Sequence, residues 1–541
     1  MEANVSDPGK AATAPTTGGT HRRAFWIGLA IFVLAAALRV SLVSTARFTG
    51  DESRDYAVGM NIAHGQSFPL LGPVMSGGQA RLPGPLFYWL GTLPYLFSRA
   101  PEAGNLFFEL LGALTVWLFW SSLRPAFGEA GAAFAAILMA LSPWSALFGD
   151  RVWNPHAFLL CEGVALLAVV RLRERPESRW ALALPLACLA LPQLHMSAPV
   201  VWVALLPLAA GSWRRWNRRY LAIGVALGLL LYIPFVVSEL RTGLGNTHAF
   251  LSETFAAKKS GASNLSFLLT PVYVLRFLTL DVTYHELSGY WGGLDETAAW
   301  HALWYGSAAR PFHPLRLAAL LASGGLLLLA IGVAAREAVG RARAATERAI
   351  SGFLGPFGWS AVLVVALDLA FLALTRKQVF AHYVSLTIPF VFVIYADLYR
   401  ALGETRAGGR SLRPLAIGLA VIFCAGGVEA TRSISARIDG RNGLGVHRAV
   451  CGRVLGDLAA AERAPAEQPV RLDIGFMANL SQYTIFTRYA LRKPVRWGWE
   501  GSPGAFAYRL QKNEDPPPRA SMDGPAFETT RVGPVTLYRL R

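Results

Sequence analysis

Apolar runs of about 17–22 residues recur from Phe25 to roughly Val428, and short arginine-rich stretches separate them. Runs of that length fit a hydrocarbon core about 30 Å thick. The pattern predicts an α-helical polytopic membrane protein with about eleven transmembrane helices. Their approximate positions are 24–45, 103–122, 129–148, 156–171, 180–193, 196–211, 220–238, 314–334, 354–374, 384–399 and 414–430. The fifth and sixth are short and Pro192 interrupts them. Three polar segments are too long to be turns: 46–102, 239–313 and 431–541.

Composition sharpens this picture. The chain has 541 residues, of which 53% are hydrophobic and 16% charged. A soluble chain usually carries about 25% charged residues. Mean hydropathy is +0.38. An ordinary soluble enzyme, a disulfide-stapled secreted domain and a disordered chain are all excluded. The four cysteines contain no CxxC, and three lie in apolar runs where cysteine acts as a small hydrophobe.

Net charge is +17, which on a soluble fold would point to nucleic acid. Here the arginines sit at the ends of apolar runs, so no nucleic-acid partner is expected. Four short connectors carry them: Arg171–Arg179, Arg214–Arg219, Arg336–Arg348 and Arg400–Arg413. All four fall on the same side as His21-Arg22-Arg23, so the amino terminus is expected in the cytoplasm. An odd number of spans then puts the three long polar segments outside. Arginine far exceeds lysine and alanine and glycine abound, which favours a bacterial inner membrane.

Three regions follow: a disordered cytoplasmic tail (1–23), a membrane domain (24–430) and an extracytoplasmic α/β domain (431–541). The run Phe25–Val43 is too long for a signal-peptide core and reads as a retained anchor. In the last region Val470–Phe476 and Val535–Leu540 read as strands, and Gly445–Ala461 as an amphipathic helix.

The candidate chemistry lies in the outer segments. Thr49-Gly50-Asp51-Glu52-Ser53-Arg54-Asp55-Tyr56 directly follows the first span. Asp51 and Glu52 would open a helix running to about His64, where the helix dipole stabilises acids. Asp51 is either a general base or simply an N-cap. The Gly/Pro turn around Pro83-Gly84-Pro85 leads into aromatic residues suited to an interfacial helix. Arg81 beside it is a lipid-phosphate ligand or a snorkelling anchor. Asp150-Arg151 is a substrate pair or a salt bridge at a span end. His195, where a proline-broken helix pair turns, is a functional group at membrane depth or a solvated loop residue. Arg376 and Lys377, which precede His382 and Tyr383, are phosphate ligands or ordinary anchors.

Together, the acidic D-E-x-R-x-Y loop, the Gly/Pro turn and the aromatic helix resemble the GT-C glycosyltransferases. The likeness extends to Asp150-Arg151-Val152-Trp153-Asn154-Pro155 and to the stretch Phe380–Pro389. The nearest groups are the family 39 protein O-mannosyltransferases and the bacterial aminoarabinose transferases acting on lipid A. The resemblance covers roughly the first 230 residues and the 370–400 region. It implies an outer-face site that passes a sugar from a polyprenyl-phosphate donor to a lipid, protein or polysaccharide acceptor, with inversion. Asp51 matches the first-loop acid proposed as catalytic base, and Glu52 its acidic neighbour. Arg81 lies near a donor-phosphate lysine of the aminoarabinose transferases. Tyr56, Asp150, Arg151, His195, Arg376, Lys377, His382 and Tyr383 complete the expected substrate-binding set.

A polyprenyl phosphate leaves readily once cations neutralise it, so no cofactor is required. No DxD marks the outer segments, and a divalent metal stays an open alternative. The competing class is a transporter or flippase without transferase chemistry. Against it stand the absence of internal repeats and the scarcity of acids well inside spans, where Asp368 stands with Glu162 nearer an end.

Overall fold

The computed structural model describes residues 17–46, 48, 50–75, 78–147, 152–255, 268–279, 314–344, 355–375, 381–404, 406–407, 410–442 and 444–460, and five strands between 470 and 540. Helix α1 (Thr17–Val40) leads into the first polar segment, which folds as α2 (Gly50–Ala63) and α3 (Leu86–Thr92). Then come α4 (Pro101–Leu141), α5 (Pro143–Leu147), α6 (Asn154–Glu174), α7 (Trp180–Ala190), α8 (Ala198–Ala204) and α9 (Leu206–Ala209). Helices α10 (Arg218–Leu230), α11 (Ile233–Thr242), α12 (Gly245–Phe255) and α13 (Leu269–Leu278) follow. The second half holds α14 (Pro314–Ala344), α15 (Pro356–Thr375), α16 (Ala381–Val384), α17 (Ile388–Val391), α18 (Val393–Glu404) and α19 (Arg413–Asn442).

Among the described residues seven helices are long and apolar enough to cross a membrane, or eight with the bent pair α10–α11 taken as one span. The difference from eleven has local causes. Helix α4, 41 residues long, is broken at Gly128, whose backbone angles are not helical, and its two parts match the second and third expected spans; counted once, it lowers the number by one. Trp180–Gln193 and Ala198–Ala209 are apolar but shorter than a full crossing. The last long helix runs on to Asn442, so the boundary expected at 430 falls inside it.

Packing runs through α4, which lies against α1, α6 and α18. Helices α7 and α10 pair beside α6, and α14 pairs with α19. Arg39, only 1% exposed, fastens the bundle near the end of α1. Its guanidinium donates to the Ala140 carbonyl (3.0 Å), the Ser145 carbonyl (3.1 Å) and the Ser145 hydroxyl (2.9 Å). The bundle therefore has two distinct ends. Arg23 and Arg124 meet Glu129 at one end, and α2 and α3 cover the other.

Helix α20 (Leu444–Ala460) docks on the first polar segment. The Leu444 N–H donates to the Ala46 carbonyl (2.9 Å), the His447 ring meets Phe48 edge-on, and Arg448 pairs with Glu102. Beyond it stand β3 (Val470–Asp473), β4 (Val495–Trp497), β5 (Ala507–Lys512), β6 (Phe527–Val532) and β7 (Val535–Leu540); β1 (Arg406–Ala407) and β2 (Arg410–Ser411) form a separate small hairpin. The sheet order is β4-β3-β5-β7-β6, with β3 parallel to both β4 and β5 and the β5-β7-β6 part antiparallel. The helix and the two strands expected in this region are present within a few residues of the expected limits.

Gly128 has φ +71° and ψ 173°, a region that residues with a Cβ enter at a cost of about 1–3 kcal/mol. Space is not the issue, since nothing lies within 4 Å of an added Cβ. Gly128→Ala is therefore expected to lower stability by that amount through backbone strain alone. Unfolding midpoints of the purified protein in detergent, compared with a Gly→Ala change at the unstrained Gly418, check this.

Candidate functional site

Helix α2 begins at Gly50, ten residues beyond the end of α1, and places Asp51 and Glu52 in its first turn. Spacing then decides their fates. Asp51 is exposed and accepts from Arg54 Nη1 (2.8 Å), an i,i+3 pair on one helix face. The Arg54 Nε donates to Asp55 Oδ1 at 2.7 Å. Arg54 thus bridges a solvated carboxylate and a buried one. Glu52 is 2% exposed and faces inward. Tyr56 is fully buried, donates its hydroxyl to the Arg99 carbonyl (2.6 Å) and packs edge-on to Phe48 and Tyr95.

Electrostatics separates the acids further. Burial pushes the Asp55 carboxyl up to about 7, although the Arg54 guanidinium pulls the other way. Burial alone would lower Arg54, but the Asp55 and Asp51 carboxylates outweigh it and raise the guanidinium, which stays charged. Burial, with Asp55 close by, pushes the Tyr88 phenol up to about 12.

Beneath α2 lies a cavity of about 460 Å³. Asp51 and Arg54 contribute from α2, and Val74, Met75, Gly78 and Leu82 from the segment that follows. Trp153, Asn154 and Pro155 line it at the start of α6, His195, Met196 and Ser197 before α8, and Phe371, Leu372 and Tyr383 from the second half. The Trp153 and Tyr383 rings supply flat apolar faces among polar groups, a lining suited to a small polar ligand.

The walls are held by side chains from distant parts of the chain. Asn154 Nδ2 donates to the Leu194 carbonyl (2.7 Å) and fixes the turn that carries His195. The His195 ring lies between Phe158 (5.7 Å) and Tyr383 (5.9 Å), and its Nδ1 accepts the Ser197 N–H (3.3 Å). Gln193 is fully buried, and its Oε1 accepts the Leu86 N–H (3.3 Å). Gly84 is needed there: its φ is +126°, and an added Cβ would meet Gln193 Oε1 at 2.3 Å. On the other side Asn246 pairs with the Arg81 backbone, accepting its N–H (2.8 Å) and donating to its carbonyl (3.1 Å). Glu253 accepts from the Gln79 and Ala80 N–H groups.

Of the residues expected from sequence, Asp51, His195 and Tyr383 come together on the cavity. Glu52 and Tyr56 are buried in α2 and are not among its lining residues; Tyr56 serves the packing of α2. The Arg81 side chain is exposed beside the lining segment. Asp150, Arg151, Arg376 and Lys377 lie outside the described residues, as does the side chain of His382. Sequence reasoning passed over Arg54, although its i,i+3 spacing from Asp51 marks it. It also passed over Asn246 and Glu253, which no local pattern connects to a segment more than 160 residues earlier. Among the described residues no cluster of three or more His, Cys, Asp or Glu is placed to hold a metal ion.

The family model described as dolichyl-phosphate-mannose-protein mannosyltransferase matches residues 83–237, from the Gly84 turn through α6 and the His195 turn to α11. Two solved structures align over nearly the whole chain. ArnT from Cupriavidus metallidurans bound to undecaprenyl phosphate is 13% identical, with a TM-score of 0.54 over 97% of this chain and 98% of its own. The apo form of the same protein is 13% identical and gives 0.55 over 96% and 98%. The chain has the fold of the ArnT structures, which is the GT-C fold. The likeness in structure shows the fold, and the cavity under α2 is the candidate functional site. The apo oligosaccharyltransferase of Archaeoglobus fulgidus is more remote, at 12% identity and a TM-score of 0.40 over 90% of this chain and 69% of its own. No curated protein matches the sequence.

Asp55 gives the site a pH dependence with a definite sign. Its folded value is raised from the ordinary 3.8 to about 7, so folding favours the protonated acid. That contribution is fully present below about pH 4 and is lost as pH rises through about 7. Asp55→Asn removes the titration. The wild type should lose about 2–4 kcal/mol relative to this variant between pH 4 and pH 8. Unfolding midpoints measured across that range check it, and parallel curves for the two proteins would contradict the assignment.

Proposed function

We propose that this protein transfers a sugar from a polyprenyl-phosphate donor to an acceptor hydroxyl or phosphate on the outer face of a bacterial inner membrane. The observation that carries the reading is the meeting of Asp51, Arg54, His195 and Tyr383 on one cavity at one end of a GT-C bundle. That the structure of ArnT was solved with undecaprenyl phosphate supports a donor of this class. The arginine-rich connectors support a cytoplasmic amino terminus, which turns the cavity and the domain beyond α19 outward.

In this reading Asp51 is the general base. Its carboxylate stays solvated and accessible, unlike its neighbour Asp55. It takes the acceptor proton as the acceptor oxygen bonds to the anomeric carbon. The bond from that carbon to the phosphate oxygen breaks on the opposite face, with inversion, and the polyprenyl phosphate departs carrying the electron pair. Arg54, held charged by its two carboxylates, and Arg81 at the rim neutralise that phosphate. Trp153 and Tyr383 bracket the sugar, and His195 orients it.

Turnover by purified protein with a panel of radiolabelled polyprenyl-phosphate sugars tests the reading. The wild type is expected to consume one donor. Asp51→Asn is expected to lower kcat by about 10²–10⁴-fold, the usual worth of a general base. Arg54→Gln and Arg81→Ala should raise the KM for donor more than that for acceptor. Near-full activity of Asp51→Asn would remove the base assignment. A wild type that neither consumes, hydrolyses nor binds any donor would remove the transferase itself.

A further inference from the structure

A second cavity, of about 520 Å³, lies at the other end of the bundle, between α1, α4, α6 and the start of α7. Phe25, Leu29, Trp117, Trp120 and Trp180 line it, and its surface is mostly apolar. Arg124 and Arg171 also line it, from the ends of the apolar parts of α4 and α6. It shares no residue with the cavity under α2.

Ordinary membrane-belt tryptophans sit on the outside of a bundle at headgroup level. Trp120 does not, being 2% exposed, and its Nε1–H finds no acceptor among the described residues. Gly28 brings α1 against both rings, for an added Cβ would meet Trp120 at 2.5 Å and Trp117 at 2.8 Å. The Arg124 guanidinium rests on the Trp120 ring, 4.8 Å from its centroid, and its buried Nε also lacks an acceptor. The local acids leave charge over. Glu129 is shared between Arg23 and Arg124, 3.6 Å from each, while Glu174 serves Arg171 at 2.9 Å. Three guanidinium groups thus face two carboxylates. Excess positive charge next to an open apolar groove at the end of the spans complements one kind of molecule: a phosphate with a hydrocarbon chain attached.

We propose that this cavity binds one anionic phospholipid, with its phosphate on Arg124 and Arg171 and an acyl chain among Phe25, Leu29 and the three tryptophans. The site is separate from donor and acceptor binding and stands whether or not the transferase reading does.

Native mass spectrometry of the delipidated full-length protein, titrated with phosphatidylglycerol and with phosphatidylcholine of the same chains, tests it. One phosphatidylglycerol is expected to bind at least tenfold more tightly than phosphatidylcholine. The double variant Arg124→Gln/Arg171→Gln should lose that preference. Should the double variant fail to fold, Arg171→Gln alone gives the same readout, because its salt bridge with Glu174 lies near the surface. Leu29→Trp keeps both arginines and fills the apolar part, and should also weaken phosphatidylglycerol binding at least tenfold. Equal retention of the two lipids, or an unchanged preference in the charge variant, overturns the proposal. So does unchanged binding in Leu29→Trp, which would reduce the effect to phosphate on a basic surface.

Discussion

The arrangement turns on a cation inside the bundle. Arg39 is almost wholly buried, and a lone charge at that depth is costly enough to demand partners. Two carbonyls and a hydroxyl from Ala140 and Ser145 supply them, and Glu109 supplies the opposing charge. Removing one member of such a buried set typically costs about 3–5 kcal/mol, so the contact behaves as a fixed point and not a hinge. It ties the end of α1 to the end of α4 and to α5. Both polar stretches that build the cavity start from there, one running into α2 and the other into the Trp153–Pro155 turn.

From that fixed point the chemistry of α2 follows almost without choice. A helix that starts about ten residues after a span, with acids in its first turn, gains from its own dipole. Arg54 then lies within reach of carboxylates on both sides. Desolvation outweighs pairing for Asp55 and leaves it about half protonated near pH 7, whereas the Asp51 carboxyl stays in contact with water. Two acids four residues apart are thereby given different work by depth alone. The same division by depth separates the two ends of the bundle. Acids and arginines mix over the cavity under α2, and arginines dominate beside the tryptophans at the far end.

Much of this could be read from the chain. The apolar period gave the membrane class, and the acidic motif gave α2 to within a residue or two at each end. The last region showed its helix and two of its strands. The break in α4 falls where the sequence separates its second and third spans, and Gly128 supplies the non-helical backbone there. Tyr56 looked like a ligand because it belongs to the motif, yet its hydroxyl is already used by the Arg99 carbonyl. Arg54 was legible by spacing. Asn246 and Glu253 were not, since what they hold is backbone, and backbone leaves no mark in the residues it belongs to.

The expected fifth and sixth spans show why the cavity exists at all. Trp180–Gln193 and Ala198–Ala209 fall in the 10–17-residue range. At about 1.5 Å per residue neither covers a core about 30 Å thick. The chain must therefore turn round before it reaches the far surface, and Pro192 sets where. A turn at that depth exposes backbone and side-chain polar groups that lipid cannot satisfy. The neighbours satisfy them: Asn154 takes the Leu194 carbonyl, and the Gln193 side chain takes the Leu86 N–H. The space left above the short helices is then roofed by α2 and the segment after it, and His195 at the turn becomes part of its floor. A shortfall in helix length, visible in the sequence as two weak apolar runs, is thus the physical origin of a polar chamber at the membrane surface.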